Sequence, residues 1–590
     1  MNQQFRWMKR RVKKFFLSFF SNKKASKYVA PIIDAASNKG YVENYSNKAD
    51  SLHLDIKSIY EEDLQDNFLK IMKKLSPHFR GSNVRLAIDF QEEGFYGKTN
   101  SFYIIGTSYP ETKLKLIAGD VHRVEDSTRY KYLYDYAVAE PGMYYRDFEK
   151  KTLEKNLYMP SYPASREMCA IGGIISNNAG GERTLRYGKT NKYLLGVNLI
   201  LADGKEYYFE KLNKTELDKK MTLETFEGQV YKKTFELISK NKELIEKSRP
   251  KVSKNSSGYN IWDVWDGHNF DLTQLICGAQ GTLGIITRAK LGLVKRKKYN
   301  HLYVVFFKTL LTLPQFTREV LRLKPTSLEV TDDHTFKIYL RYAKEMAEIL
   351  GSKSIFSTIK LFMPEFLLTI KSGVPKLILL VEFEGNEEVS VLKNIEQIKQ
   401  LVKQYKLSGR FCKTDLEAQK YWKLRRDTFK LLREKIKDKH ATPFIDDISI
   451  NPSYLPEFIP ALTKILDEHK ILYTISGHLG DGNLHVIPLM DLSKEEERKK
   501  IYEVTDLVYD LILKHQGTLS AEHNDGLIRS PYLEKEFGLK VYNLFKQIKE
   551  TFDPDNIFNP HKKIGVTKEY AMSHMIKDES YIQKHPHEKI

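Results

Sequence analysis

The segment from Ser161 to Gly188 reads SYPASREMCAIGGIISNNAGGERTLRYG and places its small residues in two pairs, Gly172-Gly173 and Gly180-Gly181. Glycine adopts φ > 0 without steric cost and lets main-chain N–H groups approach a ligand closely. Successive N–H groups in such turns bind anionic oxygens, including those of a diphosphate. The spacing is neither the G-x-G-x-x-G of a dinucleotide fold nor G-x-x-x-x-G-K-[ST]. The segment therefore predicts a nucleotide site in another architecture, with glycine-rich turns of an ordinary β-rich domain as the alternative.

This segment resembles the second cofactor-binding segment of the FAD-linked oxidases with the vanillyl-alcohol-oxidase (PCMH-type) fold. The P-x-S at 163–165, the I-G-G at 171–173, the N-x-x-G at 177–180 and the Y-G at 187–188 carry the match. LGVNLILADG at 195–204 fits the family's next strand and turn, and LICGAQGTLGIIT at 275–287 resembles a later stretch, with Gln280 in place of Glu. The resemblance implies FAD as the cofactor, bound by Pro163, Ser165, Gly172, Gly173, Asn177, Asn178, Gly180, Gly181, Tyr187, Gly188, Gly281, Thr282, Gly284 and Ile285.

Length and composition indicate a globular protein of several domains. At 590 residues the chain is too long for one core, and three or four domains are expected. It carries 95 basic and 76 acidic side chains, a net charge of +19 that favours contact with an anionic surface. Three widely spaced cysteines are typical of a reducing interior. No run of about 18 apolar residues occurs, so we expect a cytoplasmic protein, soluble or peripheral on the inner face of the cell membrane.

The first residues combine basic and aromatic side chains. RWMKRRVKKFFLSFFSNKK at 6–24 places a basic cluster before a run rich in phenylalanine. This pattern is typical of an amphipathic helix that lies in a membrane interface. It is equally typical of a solvated basic helix with one buried face. The long apolar stretch and the small-residue cleavage site of a secretory signal are not seen.

Residues 28–113 follow another pattern. Apolar positions recur at helical intervals in 60–75, and VRLAIDF at 84–90 predicts a strand with an acidic residue near its end. Asp89, followed by FYGK at 95–98, resembles the strand that carries the first metal-binding carboxylate of DDE-type insertion-sequence transposases. Two-metal phosphodiester chemistry needs two or three converging carboxylates. Because only Asp89 matches, we interpret the stretch as a fused or relic fragment.

This fragment stands where the oxidase family carries an earlier glycine-rich diphosphate loop. Only Gly106-Thr107-Ser108, upstream of a strand expected at 114–117, matches that loop. The sequence therefore predicts either a degenerate first loop or its removal by the fusion.

The second strong feature is SGHLGDGNLH at 476–485. Asp481-Gly482 is a favoured pair for a two-residue type I′ turn, and a hairpin centred there pairs His478 with His485. Opposed residues share a sheet face with Cβ atoms about 5 Å apart. Both imidazoles could therefore ligate one divalent ion at about 2.0–2.1 Å. The alternative is two stacked strand histidines.

SAEH at 520–523 adds Glu522 as a third ligand and His523 as a base. These two segments resemble the C-terminal domain of the D-lactate dehydrogenase, glycolate oxidase and D-2-hydroxyglutarate dehydrogenase group. The resemblance implies that His478, His485 and Glu522 hold a divalent metal, zinc or similar, and that His523 takes the substrate proton. The family continues with G-x-G, whereas this chain has Asn524-Asp525-Gly526.

Two more matches concern the substrate and the flavin. WKLRR at 422–426 fits the family's W-x-x-R and gives Arg425 the substrate-carboxylate position, where a guanidinium forms two parallel hydrogen bonds. A helix-surface arginine is the alternative. The closing segment 553–562 resembles D-P…N-P-G-K, with His561 in place of Gly. It is expected to return to the flavin domain and to bring Asn559 beside the isoalloxazine.

Together these features imply an α+β protein with a PCMH-type FAD-binding domain at 114–295 and an α+β FAD-oxidase C-terminal substrate domain at 296–565. A transposase-like fragment at 1–113 precedes them, and a polar, loosely ordered tail at 566–590 follows. The implied activity is dehydrogenation of a D-2-hydroxy acid, D-lactate or glycolate, with electrons passed to a quinone or a carrier protein. Two alternatives stay open: a transposase-derived nucleic-acid-binding protein, disfavoured because the match is short, and a catalytically impaired flavoprotein.

Overall fold

The computed structural model describes residues 135–333, 335, 373–415, 417–423, 425–426 and 441–574 with side chains, together with the backbone of His440 and of five earlier strands. The chain divides into two compact units, Met1–Ala118 and Gly119–Ile590. The basic start, the expected helix at 60–75, the 106–108 loop and the strand expected at 114–117 lie outside the described residues.

The first unit contains a four-stranded sheet in the order β1-β2-β3-β4. Its strands are β1 (Val42–Lys48), β2 (Ser51–Ile56), β3 (Arg85–Gln91) and β4 (Thr99–Ile104). β2 and β3 run parallel, and the other neighbours run antiparallel. The strand predicted at 84–90 is confirmed as β3, where Asp89 aligns with Asp55 of β2. The metal-binding role of Asp89 stays a prediction.

The second unit begins with a six-stranded sheet in the order β5-β6-β12-β8-β9, in which β7 also pairs with β12. Its strands are β5 (Asp120–His122), β6 (Asp135–Ala139), β7 (Leu157–Tyr158), β8 (Leu194–Ile200), β9 (Glu206–Glu210) and β12 (Ile285–Lys295), while β10 (Leu212–Asn213) and β11 (Asn269–Phe270) form a separate pair. The helices of this part are α1 (Tyr145–Leu153), α2 (Ile171–Asn177), α3 (Thr184–Tyr187), α4 (Lys214–Met221), α5 (Phe226–Lys240), α6 (Lys242–Lys247) and α7 (Thr273–Ile276).

An eight-stranded antiparallel sheet follows, in the order β16-β13-β15-β14-β19-β20-β17, with β18 paired to β20. Its strands are β13 (Tyr299–Phe307), β14 (Ser327–Asp332), β15 (Leu377–Gly385), β16 (Ser408–Phe411), β17 (His440–Ala441), β18 (Ile448–Ser449), β19 (Leu472–His478) and β20 (Asn483–Met490). The helices are α8 (Leu313–Arg322), α9 (Glu388–Gln404), α10 (Leu455–Glu468), α11 (Glu495–Lys514), α12 (Leu533–Phe552) and α13 (Lys568–Ser573).

The eight-stranded sheet is covered on both faces where β13 lies. Tyr303, Val305 and Phe307 pack in one core, and Leu302 and Val304 pack in another. Because side chains alternate along a strand, two buried faces require a continuous apolar run. The expected α+β architecture is confirmed.

The helices over this sheet follow the spacing of apolar residues. α9 buries Val391, Ile395, Ile398 and Val402, which recur on one helical face. In the described part of the chain, no helix is both long and apolar enough to cross a membrane.

The end of the chain packs back on the first sheet of the second unit. Phe545 and Ile548 of α12 belong to the same core as Tyr259 and Trp262. Asn559 of the closing segment donates from Nδ2 to the carbonyl of Gln280, so the expected return to the flavin domain is confirmed. Thr567 caps α13 and Ala571 is buried. The expectation of a loosely ordered tail is therefore wrong for 566–574, because this stretch has its own buried contact; 575–590 lie outside the described residues.

Candidate active site

The glycine pairs of the 161–188 segment do not form left-handed turns. Gly172 and Gly173 lie in helix α2, and neither they nor Gly180 and Gly181 have positive φ. That prediction was wrong because Ile171, Ile174 and Ile175 recur at helical spacing and are buried on one face. The left-handed position is instead Asn178, which ends the helix with φ +48°.

What three of these glycines provide is close approach. A Cβ at Gly172 would lie 2.6 Å from the Cβ of Pro141, and one at Gly181 would lie 2.2 Å from the carbonyl oxygen of Tyr162. A Cβ at Gly180 would lie 2.7 Å from Oε1 of Glu522. The glycine segment is thus in direct contact with the predicted metal ligand.

Gly173 differs from the others, because a Cβ there would meet no atom within 4 Å. Gly281 has the same open surroundings, with φ +69°. Gly173 and Asn177 are both exposed. A flat ring can approach open backbone of this kind closely, so the glycine segment fits a flavin.

Hydrogen bonds to main-chain carbonyls bring the three predicted flavin segments together. The N–H of Gly278 donates to the carbonyl of Ile175 at 2.9 Å, and that of Gln280 donates to Ser176 at 2.8 Å. Asn559 Nδ2 donates to the carbonyl of Gln280 at 2.7 Å. Helix α2, the 278–281 turn and the closing segment therefore meet, which the sequence predicted only by resemblance.

Other predicted cofactor residues have visible structural roles. Tyr187 is buried, and its hydroxyl donates to Glu384 of β15. Thr282 Oγ1 donates to the carbonyl of Ala279 at 2.7 Å, and Ile285 pairs with Ile200.

The remaining predicted cofactor residues lie in or beside turns. The carbonyls of Pro163 and Ser165 accept hydrogen bonds from Arg166 and Met168 in the turn before α2, at 3.1 and 2.9 Å. Gly188 and Gly284 have φ of +80° and +153°, which favours glycine. Contact of all these residues with FAD stays a prediction.

The histidine hairpin has another register than the one predicted. His478 pairs with Asn483, and His485 pairs with Ser476, because Leu479–Asp481 form a 3-10 turn that Gly482 closes with φ +66°. The two-residue turn was therefore wrong. A slip of two residues keeps each side chain on its sheet face. Both imidazoles still meet, with ring centroids 5.3 Å apart.

Each imidazole of the cluster is oriented by a carboxylate at Nδ1. His478 Nδ1 lies 2.6 Å from Oε1 of Glu329. Asp446 serves the other two, with Oδ1 3.1 Å from His485 Nδ1 and Oδ2 3.1 Å from His523 Nδ1. A carboxylate at one ring nitrogen fixes the tautomer and directs the other nitrogen at a ligand. The Nε2 atoms are thus the available ones, and that of His478 faces Glu522 Oε2 at 3.4 Å.

A buried aspartate that sequence reasoning missed holds the SAEH loop. Asp447 has φ +64° and no exposed surface. Its Oδ2 accepts hydrogen bonds from Ser520 Oγ at 2.8 Å and from the N–H groups of Glu522 and His523 at 2.8 and 2.7 Å. The adjacent acidic pair in IDDISI was the available signal, since two carboxylates in an apolar stretch need partners.

Asn524 replaces the family's glycine without loss of the turn. It takes φ +69°, a conformation that asparagine tolerates better than most residues. Its Nδ2 donates to the carbonyl of Gly278 at 2.8 Å, and its Oδ1 accepts from Lys563 Nζ at 2.6 Å. The substitution therefore ties the histidine loop to the flavin segment.

The donor atoms of the cluster fit a divalent cation. One atom each from Asp447, His485, Glu522 and His523 lie within 4.8 Å of one another. Both oxygens of Asp447 already accept hydrogen bonds, since Oδ1 accepts from Asn483 at 3.1 Å. Of the predicted ligands, this group contains His485 and Glu522 but not His478, and it also contains His523, which the sequence predicted as the base. Imidazole nitrogens and a carboxylate are a set typical of zinc-like ions.

The surroundings of the three imidazoles shift their pKa values in opposite directions. The side chain of His523 is 47% exposed, and its partial burial opposes the charged form, but the carboxylates of Asp447 and Asp446 outweigh this and raise the pKa to about 9. Burial likewise opposes charge on His478, and Glu329 outweighs it and raises that pKa to about 9. Burial lowers the pKa of His485, so this imidazole is the neutral one of the three at neutral pH.

Lys254 is a second residue that sequence reasoning missed. It is fully buried, and its Nζ lies 2.6 Å from Glu522 Oε1 and 3.2 Å from Asp481 Oδ2. The buried ammonium group thus pairs with both carboxylates. This pairing holds Glu522 so that its Oε2 points towards the imidazoles. In the sequence, the only indication of this residue was that the polar stretch KNSSGY at 254–259 begins with a lysine.

The two arginines of WKLRR have different partners. Arg425 is mostly buried, and its Nε lies 3.3 Å from Oε2 of Glu329. Arg426 donates to both oxygens of Glu182, from Nε at 2.9 Å and Nη2 at 2.5 Å. Arg425 therefore lies beside the histidine cluster, and Arg426 ties its helix to the glycine segment.

Two family models match the second unit. The model described as FAD binding domain matches residues 116–208, and the model of FAD linked oxidases, C-terminal domain, matches residues 296–563.

Curated relatives are similar over most of this chain. D-2-hydroxyglutarate dehydrogenase of Pseudomonas putida is 26% identical over 397 residues, covering 66% of this chain and 38% of the relative. Glycolate oxidase subunit GlcD of Bacillus subtilis is 26% identical over 432 residues, 72% of this chain and 74% of the relative. Mitochondrial D-lactate dehydrogenase (cytochrome) of Arabidopsis thaliana is 24% identical, with 72% and 62% covered. The match thus spans little more than a third of the first of these relatives.

Solved structures show the same fold. The chain resembles p-cresol methylhydroxylase with a TM-score of 0.50 and 15% identity, covering 92% of this chain and 97% of that one. It resembles 4-ethylphenol oxidase of Gulosibacter chungangensis with a TM-score of 0.50 and 14% identity, covering 93% and 98%. The expected PCMH-type fold is confirmed.

Proposed function

We propose that this chain, which models of an FAD binding domain and of FAD linked oxidases match, is an FAD-dependent dehydrogenase that converts a D-2-hydroxy acid to the 2-oxo acid. One observation carries the proposal. His523, with 47% of its side chain exposed, stands on a loop that Asn524 ties to Gly278 beside the glycine segment. A proton acceptor is thereby held next to the backbone that fits a flavin.

Arg425 is the group proposed to bind the substrate carboxylate. Its Nε faces Glu329, so the guanidinium is oriented before substrate arrives. Its two Nη groups can form parallel hydrogen bonds to a carboxylate. Because the Arg425 guanidinium has a fixed orientation, the α-carbon of the bound acid presents one defined face to the histidine cluster.

His523 is the proposed base, and it takes the hydroxyl proton while the hydrogen on C2 leaves with its electron pair. FAD, when bound, accepts that hydride, so the acid loses two electrons and two protons in all. General base catalysis of this kind contributes roughly 10²–10⁴-fold. Asp446 stabilises the imidazolium that forms, because its Oδ2 lies 3.1 Å from Nδ1.

His478, His485 and Glu522 are proposed to hold a divalent cation beside this base. When bound, such an ion lowers the pKa of the substrate hydroxyl. The positive charge of the ion also opposes protonation of His523. A bound ion would therefore bring the raised pKa of His523 down towards the neutral range that a base requires.

D-lactate and glycolate are the proposed substrates, because relatives with both activities match most of this chain. The proposed electron acceptor is a quinone or a carrier protein. A net charge of +19 supports an acidic partner or an anionic membrane surface.

The direct test is an anaerobic absorbance measurement on purified, FAD-loaded full-length chain. We expect flavin bands that bleach on addition of D-lactate or glycolate, and bleaching at least 100-fold slower in His523→Asn. Flavin bands that no 2-hydroxy acid bleaches would indicate an impaired flavoprotein. Colourless protein that retards labelled DNA would favour the nucleic-acid alternative.

A further inference from the structure

One carboxylate of the central sheet joins two groups that the proposed reaction uses. Glu329 lies in β14 and is 1% exposed. Its Oε1 accepts the hydrogen bond from His478 Nδ1 at 2.6 Å. Its Oε2 forms an ion pair with Arg425, 3.3 Å from Nε, without the geometry of a hydrogen bond. Each oxygen therefore has its own cationic partner.

The surroundings of Glu329 explain why its position is fixed. β14 lies between β15 and β19, and five of its six residues are buried. A carboxylate in such a place is costly unless both oxygens are paired. The side chain is also planar at its end, so the two partners are held at one relative position.

We propose that Glu329 is a positioning residue that sets the separation between the His478 imidazole and the Arg425 guanidinium. Through that separation it selects acids whose hydroxyl group is on the carbon next to the carboxylate. The proposal rests on the function proposed above.

The selection follows from the positions of His478 and Arg425, which face opposite ends of the bound acid. His478 presents Nε2 towards Glu522, where the hydroxyl oxygen is activated, while Arg425 presents its Nη groups to the carboxylate. In a 2-hydroxy acid these two groups are on adjacent carbons, and in a 3-hydroxy acid one methylene more separates them. A misplacement of about 1 Å can lower the rate about 10²-fold.

Two substitutions separate the two contacts of Glu329. In Glu329→Gln the amide oxygen can still accept from His478, but the side chain loses the negative charge that attracts the Arg425 guanidinium. In Glu329→Asp the carboxylate is withdrawn by one methylene and cannot reach both partners. The first variant therefore weakens the carboxylate clamp alone, and the second changes the spacing.

The experiment uses full-length, FAD-loaded protein after removal of metal with a chelator. Zn²⁺ is titrated in, and kcat and KM are then measured for D-lactate and D-3-hydroxybutyrate. Glu329→Gln should bind Zn²⁺ within threefold of wild type and raise the KM for D-lactate at least tenfold. Glu329→Asp should bind Zn²⁺ at least tenfold more weakly and lower the preference for D-lactate over D-3-hydroxybutyrate at least tenfold. Glu396→Gln, in an exposed pair with Lys399, is the matched control and should change none of these values.

Equal losses for both acids, or wild-type Zn²⁺ affinity in Glu329→Asp, would overturn the positioning role. If Glu329→Asp does not fold, the Glu329→Gln variant decides, because a merely structural role predicts an unchanged KM. If wild type binds Zn²⁺ in a Glu329-dependent way but oxidises neither acid, the proposed function fails and the proposed selection fails with it, while the orientation of His478 stands.

Discussion

The carboxylate of Glu522 occupies the space that a side chain at Gly180 would need: a Cβ there would lie 2.7 Å from Oε1. The same oxygen accepts from Lys254 Nζ at 2.6 Å. The glycine segment and Glu522, the candidate metal ligand, are therefore packed without room for a methyl group. A side chain at position 180 would therefore displace Glu522.

Gly180→Ala should push Glu522 away from Lys254 and out of the cation cluster. Because the two atoms that must move, Oε1 of Glu522 and Oγ1 of Thr184, are the ends of side chains, we expect the protein to fold. We expect Zn²⁺ affinity to fall about tenfold, as for other changes in the shell around a metal. Isothermal titration of chelator-treated protein measures it, with Gly173→Ala as the control. Equal affinities for the two variants would exclude this displacement.

Gly173→Ala should separate flavin binding from stability. A methyl group there meets no protein atom within 4 Å, and alanine is favoured over glycine in a helix by about 0.5–1 kcal/mol. The flavin-free protein should therefore be as stable as wild type or slightly more so. If the flavin lies against this open backbone, the affinity for FAD should fall at least tenfold in a fluorescence titration. Unchanged affinity would show that the ring lies elsewhere.

The sequence predicted the partners of the site better than their geometry. The face shared by His478 and His485 was predictable because a slip of two residues preserves it, although the register was wrong. Helix α2 was mistaken for turns because the glycine pairs were weighed above the isoleucines at helical spacing. A pattern of residue types fixes faces more firmly than it fixes backbone angles.

The residues that hold the site together were not predictable in the same way. Glu329, Lys254 and Asp447 come from three distant parts of the chain and carry no local motif. Their roles depend on which strands become neighbours in the sheet, which no short stretch encodes. Only the cost of burying a charge could have marked them as candidates.

The pair of Arg426 and Glu182 should act in stability and not in catalysis. Burial opposes the charge of Glu182, but Arg426 outweighs it and lowers the carboxyl pKa to about 2. Loss of one partner of a buried pair costs about 3–5 kcal/mol, so Glu182→Gln should unfold at lower urea concentration. A lowered pKa gives stability that is present above pH 4.5 and is lost as the pH falls towards 2.

The difference between wild type and Glu182→Gln should accordingly shrink below pH 4.5. Arg426→Met, which removes the other partner, should show a similar loss, and the double variant should lose less than the sum of the two. Additive losses would contradict a direct interaction. Urea unfolding curves at pH 7 and pH 4 measure these differences.

Glu536 should give the opposite dependence on pH. Burial raises its pKa to about 7, a hydrogen bond from Thr518 opposes this, and the charge of Asp525 adds to it. Its Oε1 accepts from Thr518 Oγ1 at 2.7 Å, while Oε2 is buried and lacks a hydrogen-bond partner among the described residues. A raised pKa gives stability that is complete below pH 4.5 and is lost as the pH rises through 7.

Glu536→Gln, which stays neutral, should therefore match wild type closely at pH 4 and be more stable at pH 8. A shift from 4.5 to about 7 corresponds to a difference on the order of 3 kcal/mol in the free energy of unfolding. Urea unfolding at both pH values measures it. Glu534→Gln, on an exposed position of the same helix, is the control and should show no such pH dependence. If Glu536→Gln were destabilised equally at both pH values, the carboxylate would be charged and paired in the folded protein, and its burial would not set its pKa.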